Sequence, residues 1–169
     1  MDAYTALLTR RSIRKYTDQP VSTEDIDKIL TAAMLAPSAR NKQPWHFVVI
    51  DDADLLRKVP QIHPNAAMAA HAPCAILVCG NAEVSTAAER LAQDCAAATE
   101  NALLAAHALG LGAVWCGIHP MEDRESGMRI LLSLPQNIVP FALVVLGHPA
   151  EEKEQPERYD ARRVHRNGW

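Results

Sequence analysis

Apolar residues recur along the chain with two periods, and the alternation between them predicts a layered fold. Ala3, Ala6 and Leu7 give residues 2–9 a small apolar face, which predicts a short helix. Pro20 breaks the chain. Ser22 followed by Asp25 reads as a helix cap, and Ile26, Ile29, Leu30, Ala33 and Met34 follow the i, i+3, i+4 pattern until Pro37 stops it. The run Phe47–Ile50 is β-rich and predicts a strand, and Asp51 to Lys58 predicts a short helix opened by acidic residues. Gln61 to Ala72 fits neither period. Cys74 to Cys79, ended by Gly80, is apolar throughout and predicts a buried strand.

Val84 to Leu109 predicts a helix of about seven turns. Leu91, Cys95, Ala98, Ala102, Ala105 and Leu109 form its stripe, and its many alanines permit close backbone approach. Gly110 and Gly112 end it. His107 on this helix is expected to be a hydrogen-bonded core histidine. Ala113 to Ile118 predicts a strand, and Glu122 to Leu132 a helix with Met128, Leu131 and Leu132 inward, stopped by Pro135. Val139 to Leu146 predicts the last buried strand, and a charged tail follows. Without an internal repeat or a linker, residues 1–169 read as one domain, an α+β or α/β sandwich with helices layered around a sheet of about four strands.

Composition narrows the function. The chain is 49% hydrophobic and 22% charged, as globular proteins are, and its formal charge of −3 argues against a nucleic-acid surface. A basic site must therefore be local. Cys74, Cys79, Cys95 and Cys116 form no C-x-x-C pair and read as buried hydrophobes in a reducing compartment. There is no apolar leader segment, and no run approaches the roughly 18 residues of a membrane span. The expectation is a cytoplasmic protein without a membrane partner.

The local basic site is Thr9–Tyr16, with Arg10, Arg11, Arg14 and Lys15 around Ser12. Guanidinium forks and a hydroxyl suit phosphate, whereas a solvated basic turn would have the same composition. A second polar stretch, Ala36 to Trp45, joins a helix to a strand and carries two prolines. No nucleophile elbow, Walker loop or G-x-G-x-x-G motif occurs, and the seven histidines lack metal spacing. With no evident nucleophile or base, the chemistry is expected to belong to a bound phosphorylated cofactor.

Here the motifs resemble a known family. Arg10-Arg-Ser-Ile-Arg-Lys-Tyr16 with Pro20 looks like the opening signature of the nitroreductase family of FMN-dependent enzymes. Ala36-Pro-Ser-Ala-Arg-Asn-Lys-Gln-Pro-Trp-His-Phe47 is similar to its second motif. Ala72–Ile76, Val114–Ile118, Leu146–Pro149 and Arg163 to Trp169 follow in family order, so the resemblance covers nearly the whole chain.

The resemblance implies an α+β three-layer sandwich with a mixed, mostly antiparallel sheet, assembled as a homodimer with FMN at the subunit interface. It implies that Arg10 and Ser12, with Arg11 alongside, hold the FMN phosphate and ribityl chain, and that Arg162 and Arg163 close on the phosphate. Arg14 would lie near the N1–C2=O edge of the ring. Pro37, Ser38 and Asn41 would come from the other subunit. The backbone at Cys116–Gly117 would approach flavin N5, where glycine permits close contact, with Trp115 either beside the flavin or in the core. Many family members carry a lysine before the second strand; here Asn65 is the available donor. The longer covering insertion of larger relatives is absent. The implied activity is hydride transfer from NADH or NADPH through FMN to a nitroaromatic, quinone or other conjugated electrophile, by a ping-pong mechanism without a catalytic side chain or a metal. The alternatives are a flavin carrier or redox sensor without turnover, and a non-flavin anion-binding module.

Overall fold

A computed structural model describes residues 1–169. Helix α1 (Ala3–Thr9) starts at Asp2, whose carboxylate accepts from the Thr5 N–H. Helix α2 (Thr23–Met34) starts at Ser22, whose hydroxyl oxygen accepts from the Asp25 N–H, the cap that the sequence predicts. Strand β1 (Trp45–Ile50) begins earlier than expected because Trp45 is itself core. Helix α3 (Ala53–Ile62) is capped by Asp52, which accepts from the N–H groups of Asp54 and Leu55. It runs four residues past Lys58, through Pro60. The ambiguous stretch is a kinked 3-10 segment, Pro64–His71.

After β2 (Cys74–Asn81) comes α4 (Ala88–Ala108), which starts four residues later than predicted. The side chain of Asn81 takes the Glu83 N–H, and its carbonyl takes those of Val84 and Ser85. This competing turn removes the first helical turn. The buried stripe of α4 is also wider than predicted. Leu103 and Ala106 are buried, Ala105 is only half-buried and Leu109 is exposed, because the helix packs on the sheet and on α2 at once.

Strand β3 (Gly112–Gly117), α5 (Glu122–Leu132) and β4 (Ile138–Gly147) complete the regular elements. Helix α5 ends at Ser133, two residues ahead of Pro135, and Ser133 holds φ 53° and ψ 42°. A residue with a Cβ costs about 1–2 kcal/mol there, and glycine costs about 0.5–1 kcal/mol in unfolded-chain entropy. Ser133→Gly is therefore expected to raise stability by about 0.5–1 kcal/mol, read as a higher urea midpoint at unchanged slope.

The four strands pair antiparallel in the order β1-β2-β4-β3. Period-2 alternation sorts their side chains onto two cores. Cys74, Ile76, Val78, Val144 and Leu146 pack with α2 and α4, whereas Ala75, Leu77, Cys79, Leu143 and Val145 pack toward α3, α5 and the 3-10 segment. Because both faces are covered, β2 reads as one continuous apolar run. The basic stretch adds a parallel strip: Ser12 bridges Ala113, and the Ile13 N–H donates to the Ala113 carbonyl at 3.0 Å. The result is a three-layer α+β sandwich whose sheet is mixed only at the β3 edge.

Candidate functional site

Position on that edge follows from the residues around the cations. Ile13 is buried against β3, where a side chain at Gly112 would collide with it. Tyr16, three residues on, turns inward and donates to the carbonyls of Ile13 (2.6 Å) or Val145 (3.0 Å). Burial raises its phenol well above the ordinary range, so it stays protonated. With Ile13 and Tyr16 pointing inward, Ser12 and Arg14 are turned out.

The cations then divide by what they touch. Arg11 donates to the backbone carbonyls of Leu8, Arg10 and Glu154, tying the tail to the opening stretch. Its guanidinium is committed to the fold. Arg10 lies 3.8 Å from Glu100 on α4, a loose pair on a half-exposed carboxylate. Arg14 donates its backbone N–H to Glu151 at 2.6 Å, which holds that carboxyl below its usual range, while its guanidinium keeps no side-chain partner. Ser12 and Arg14 line an open groove of ≈ 580 Å³ together with Lys153 and Arg158 of the tail. The two tail cations were invisible to sequence reasoning, because only the crossing of the tail over the opening stretch brings them there.

Arg162 and Arg163 are not part of this cluster in the chain. Both pair with Asp160, whose carboxyl the two cations hold below its ordinary value, and both side chains are exposed.

At the far end of β3, Trp115 meets Phe141 edge-on with ring centroids 5.7 Å apart. Cys116 is buried, and burial pushes its thiol up to about 11 against the opposing pull of Arg14 and Arg124. At neutral pH it is a thiol, not a nucleophile. A side chain at Gly117 would meet nothing within 4 Å, so the strand ends in open space. Asn65 is exposed two residues after His63. The His63 ring reaches Arg124 at 3.4 Å, and Arg124 in turn donates to the Gly117 carbonyl at 2.9 Å. Sequence reasoning missed Arg124 and His63. Their only signal was a cation in the first turn of an otherwise acidic helix start.

The loop Pro37–Asn41 sits elsewhere. Arg40 (φ 57°), Asn41 (φ 53°) and Gln43 (φ 49°) are all left-handed without glycine, a strain that concentrates at functional segments. Side chains hold the loop in place: Ser38 Oγ accepts from the Gln43 N–H at 2.9 Å, and the buried Asp94 of α4 accepts from the Ala39 N–H at 2.8 Å. The loop feeds β1, at the opposite sheet edge from β3, about 14 Å away at three strand spacings. Along α4 the separation recurs. Thr9 meets His107 (2.7 Å) at the helix's last turn, and Asp94 lies about 20 Å up the axis. A single chain thus keeps its two motifs apart.

Comparison with known proteins follows the same lines. A model described as the nitroreductase family matches residues 7–63 and 63–148. A Methanothermobacter thermautotrophicus protein named "Putative NADH dehydrogenase/NAD(P)H nitroreductase" is 48% identical over 169 residues, covering 100% of this chain and 88% of that one. A Parabacteroides distasonis crystal structure of the same name superposes with a TM-score of 0.95 at 39% identity, covering 99% and 98% of the two chains. A Clostridium difficile structure named an FMN-dependent nitroreductase gives a TM-score of 0.90 at 31% identity, covering 97% and 98%.

Proposed function

The chain belongs to the nitroreductase family, and on that premise we propose that it is an FMN-dependent, NAD(P)H-using oxidoreductase acting as a homodimer. The observation that carries this reading is the donor set on the β3 edge. Ser12 and Arg14, without side-chain partners, border a groove with Lys153 and Arg158, and the strand beside them ends at Gly117 in space that a Cβ would enter. Cations and a hydroxyl suit a phosphate, and bare backbone suits a flat ring, so these residues fit FMN.

When bound, FMN would supply two-electron hydride chemistry between NADH or NADPH and a second substrate in ping-pong order. Arg10 and Ser12 would hold the phosphate and ribityl chain, with Arg162 and Arg163 closing from the tail. Arg14 would offset the charge that the N1–C2=O edge gains on reduction. Pro37, Ser38 and Asn41 would serve the partner's site; their distance from the basic stretch within one chain supports this. Asn65 and Trp115 would border the ring beside Cys116 and Gly117. The acceptor is a nitroaromatic, a quinone or another conjugated electrophile, with solvent as proton source. Four free thiols, with no helix long and apolar enough to cross a membrane, support work in a reducing cytoplasm.

The test is anaerobic. The FMN-loaded protein is expected to bleach on addition of NADH or NADPH and to regain colour with a nitro compound or quinone, with parallel double-reciprocal plots in steady state. A flavin inert to both nicotinamides would make the protein a carrier or sensor. Protein that stays colourless after FMN is added would be an anion-binding module.

A further inference from the structure

Arg124 stands where electrostatics disfavours it. It is the third residue of α5, and a cation in a first helical turn opposes the helix dipole. It forms no ion pair, although Glu122, Asp123 and Glu125 share its turn. The chain's ion pairs lie elsewhere, and the neighbouring Asp123 carboxylate accepts from the Arg124 backbone N–H instead. The guanidinium reaches back across the turn, and Nη1 donates to the Gly117 carbonyl at 2.9 Å and faces His63 Nε2 at 3.4 Å.

His63 explains how that cation is held. It is only 2% exposed, and burial first, then Arg124, keeps its pKa below the ordinary value, against smaller opposite pulls that include the Gly117 carbonyl and the Asp123 carboxylate. Nε2 faces the Arg124 donor and Nδ1 has no partner, so a neutral ring protonated at Nδ1 can accept from the guanidinium. His63 therefore braces Arg124 without sharing its charge. The Gly117 carbonyl thus places Arg124 at the last peptide of β3, and Arg124 and Arg14 both oppose the burial that raises the Cys116 thiol.

We propose that Arg124, held against His63, is a positioning residue for bound FMN, fixing the Gly117 carbonyl and placing a cation on the N5 side of the ring while Arg14 serves the N1–C2=O edge. The proposal rests on the FMN reading above. Hydride delivery adds two electrons and one proton, hence one negative charge, and NAD(P)H departs as NAD(P)⁺. A fixed cation close to the ring favours the reduced form over the oxidised form.

The experiment measures the two-electron midpoint potential of FMN in the loaded homodimer, together with the Kd for oxidised FMN. The set comprises the natural protein, Arg124→Ala, Arg124→Gln and Arg124→Lys. Gln keeps a hydrogen bond to Gly117 and removes the charge; Lys keeps the charge and loses the fork. Ala and Gln are expected to lower reduced-over-oxidised affinity about tenfold, a midpoint shift of about −30 mV. Lys should recover most of that shift, and the Kd for oxidised FMN should change little because the phosphate anchors are untouched. His63→Leu, which removes the brace, should shift the midpoint in the same direction by less. Unshifted midpoints in Ala and Gln would overturn the proposal, as would a lost Kd with an unchanged midpoint. If Ala fails to fold, Gln decides. A natural protein that neither binds FMN nor responds to nicotinamides would remove the FMN reading itself, whereas normal loading and reduction beside unshifted variants would remove only the role of Arg124.

Discussion

Replacing Arg10 and Ser12 together with alanine is expected to weaken FMN binding by about 3–4 kcal/mol, roughly several-hundred-fold in Kd. Each removes a bond to a charged phosphate, and such bonds contribute about 1.5–3 kcal/mol. The fold should survive the change. Arg10 makes only the 3.8 Å contact with a half-exposed Glu100, and a pair of that kind contributes about 0–1 kcal/mol. Ile13, which pins the stretch to β3, and Tyr16, which reaches β4 at Val145, are left in place. Fluorescence titration of apoprotein with FMN gives the Kd, and thermal unfolding of the apoprotein controls for the fold. A double variant that purifies fully loaded and binds normally would mean that the stretch anchors something else.

The second large effect concerns where the loop acts. Asp94→Ala strips the Ala39 N–H of its acceptor and frees a loop that holds two left-handed non-glycine residues, Arg40 and Asn41. The loss is about 1–3 kcal/mol, localised to Pro37–Asn41. In a homodimer of this variant, both FMN sites should weaken. Mixing it with the Arg10/Ser12 variant makes the outcome diagnostic. If each site takes its basic stretch from one chain and its loop from the other, the mixed dimer regains one intact site. Tight FMN binding should then return at one FMN per mixed dimer, isolated by two different affinity tags. No recovery would mean that both halves of each site come from a single chain.

Local chemistry was the legible part of this molecule. Ser22 and Asp52 are caps by residue type, and both cap helices. The apolar runs at Cys74 and Val139 are strands because β-branched and small side chains buried on both faces leave little alternative. The motif residues were legible as well, but not what they touch. Arg11, Arg162 and Arg163 look like phosphate ligands on paper. Within the chain, Arg11 is occupied by backbone carbonyls and the other two by Asp160.

Other features depended on distant partners. Helix α4 loses its predicted first turn because Asn81 captures three N–H groups, and its buried face widens because it has two neighbours. Lys153 and Arg158 reach the groove only through the tail's return over the opening stretch.

The sequence by itself therefore determined helices layered around one sheet, the starts of α2 and α3 and the anion-seeking character of Thr9–Tyr16, since these rest on periodicity, capping and charge within a few residues. The tertiary structure alone decided that the Pro37–Asn41 loop and the basic stretch lie on opposite sheet edges. It alone set Arg124 and His63 behind Gly117, because side-chain direction and strand order are fixed only when remote segments pack.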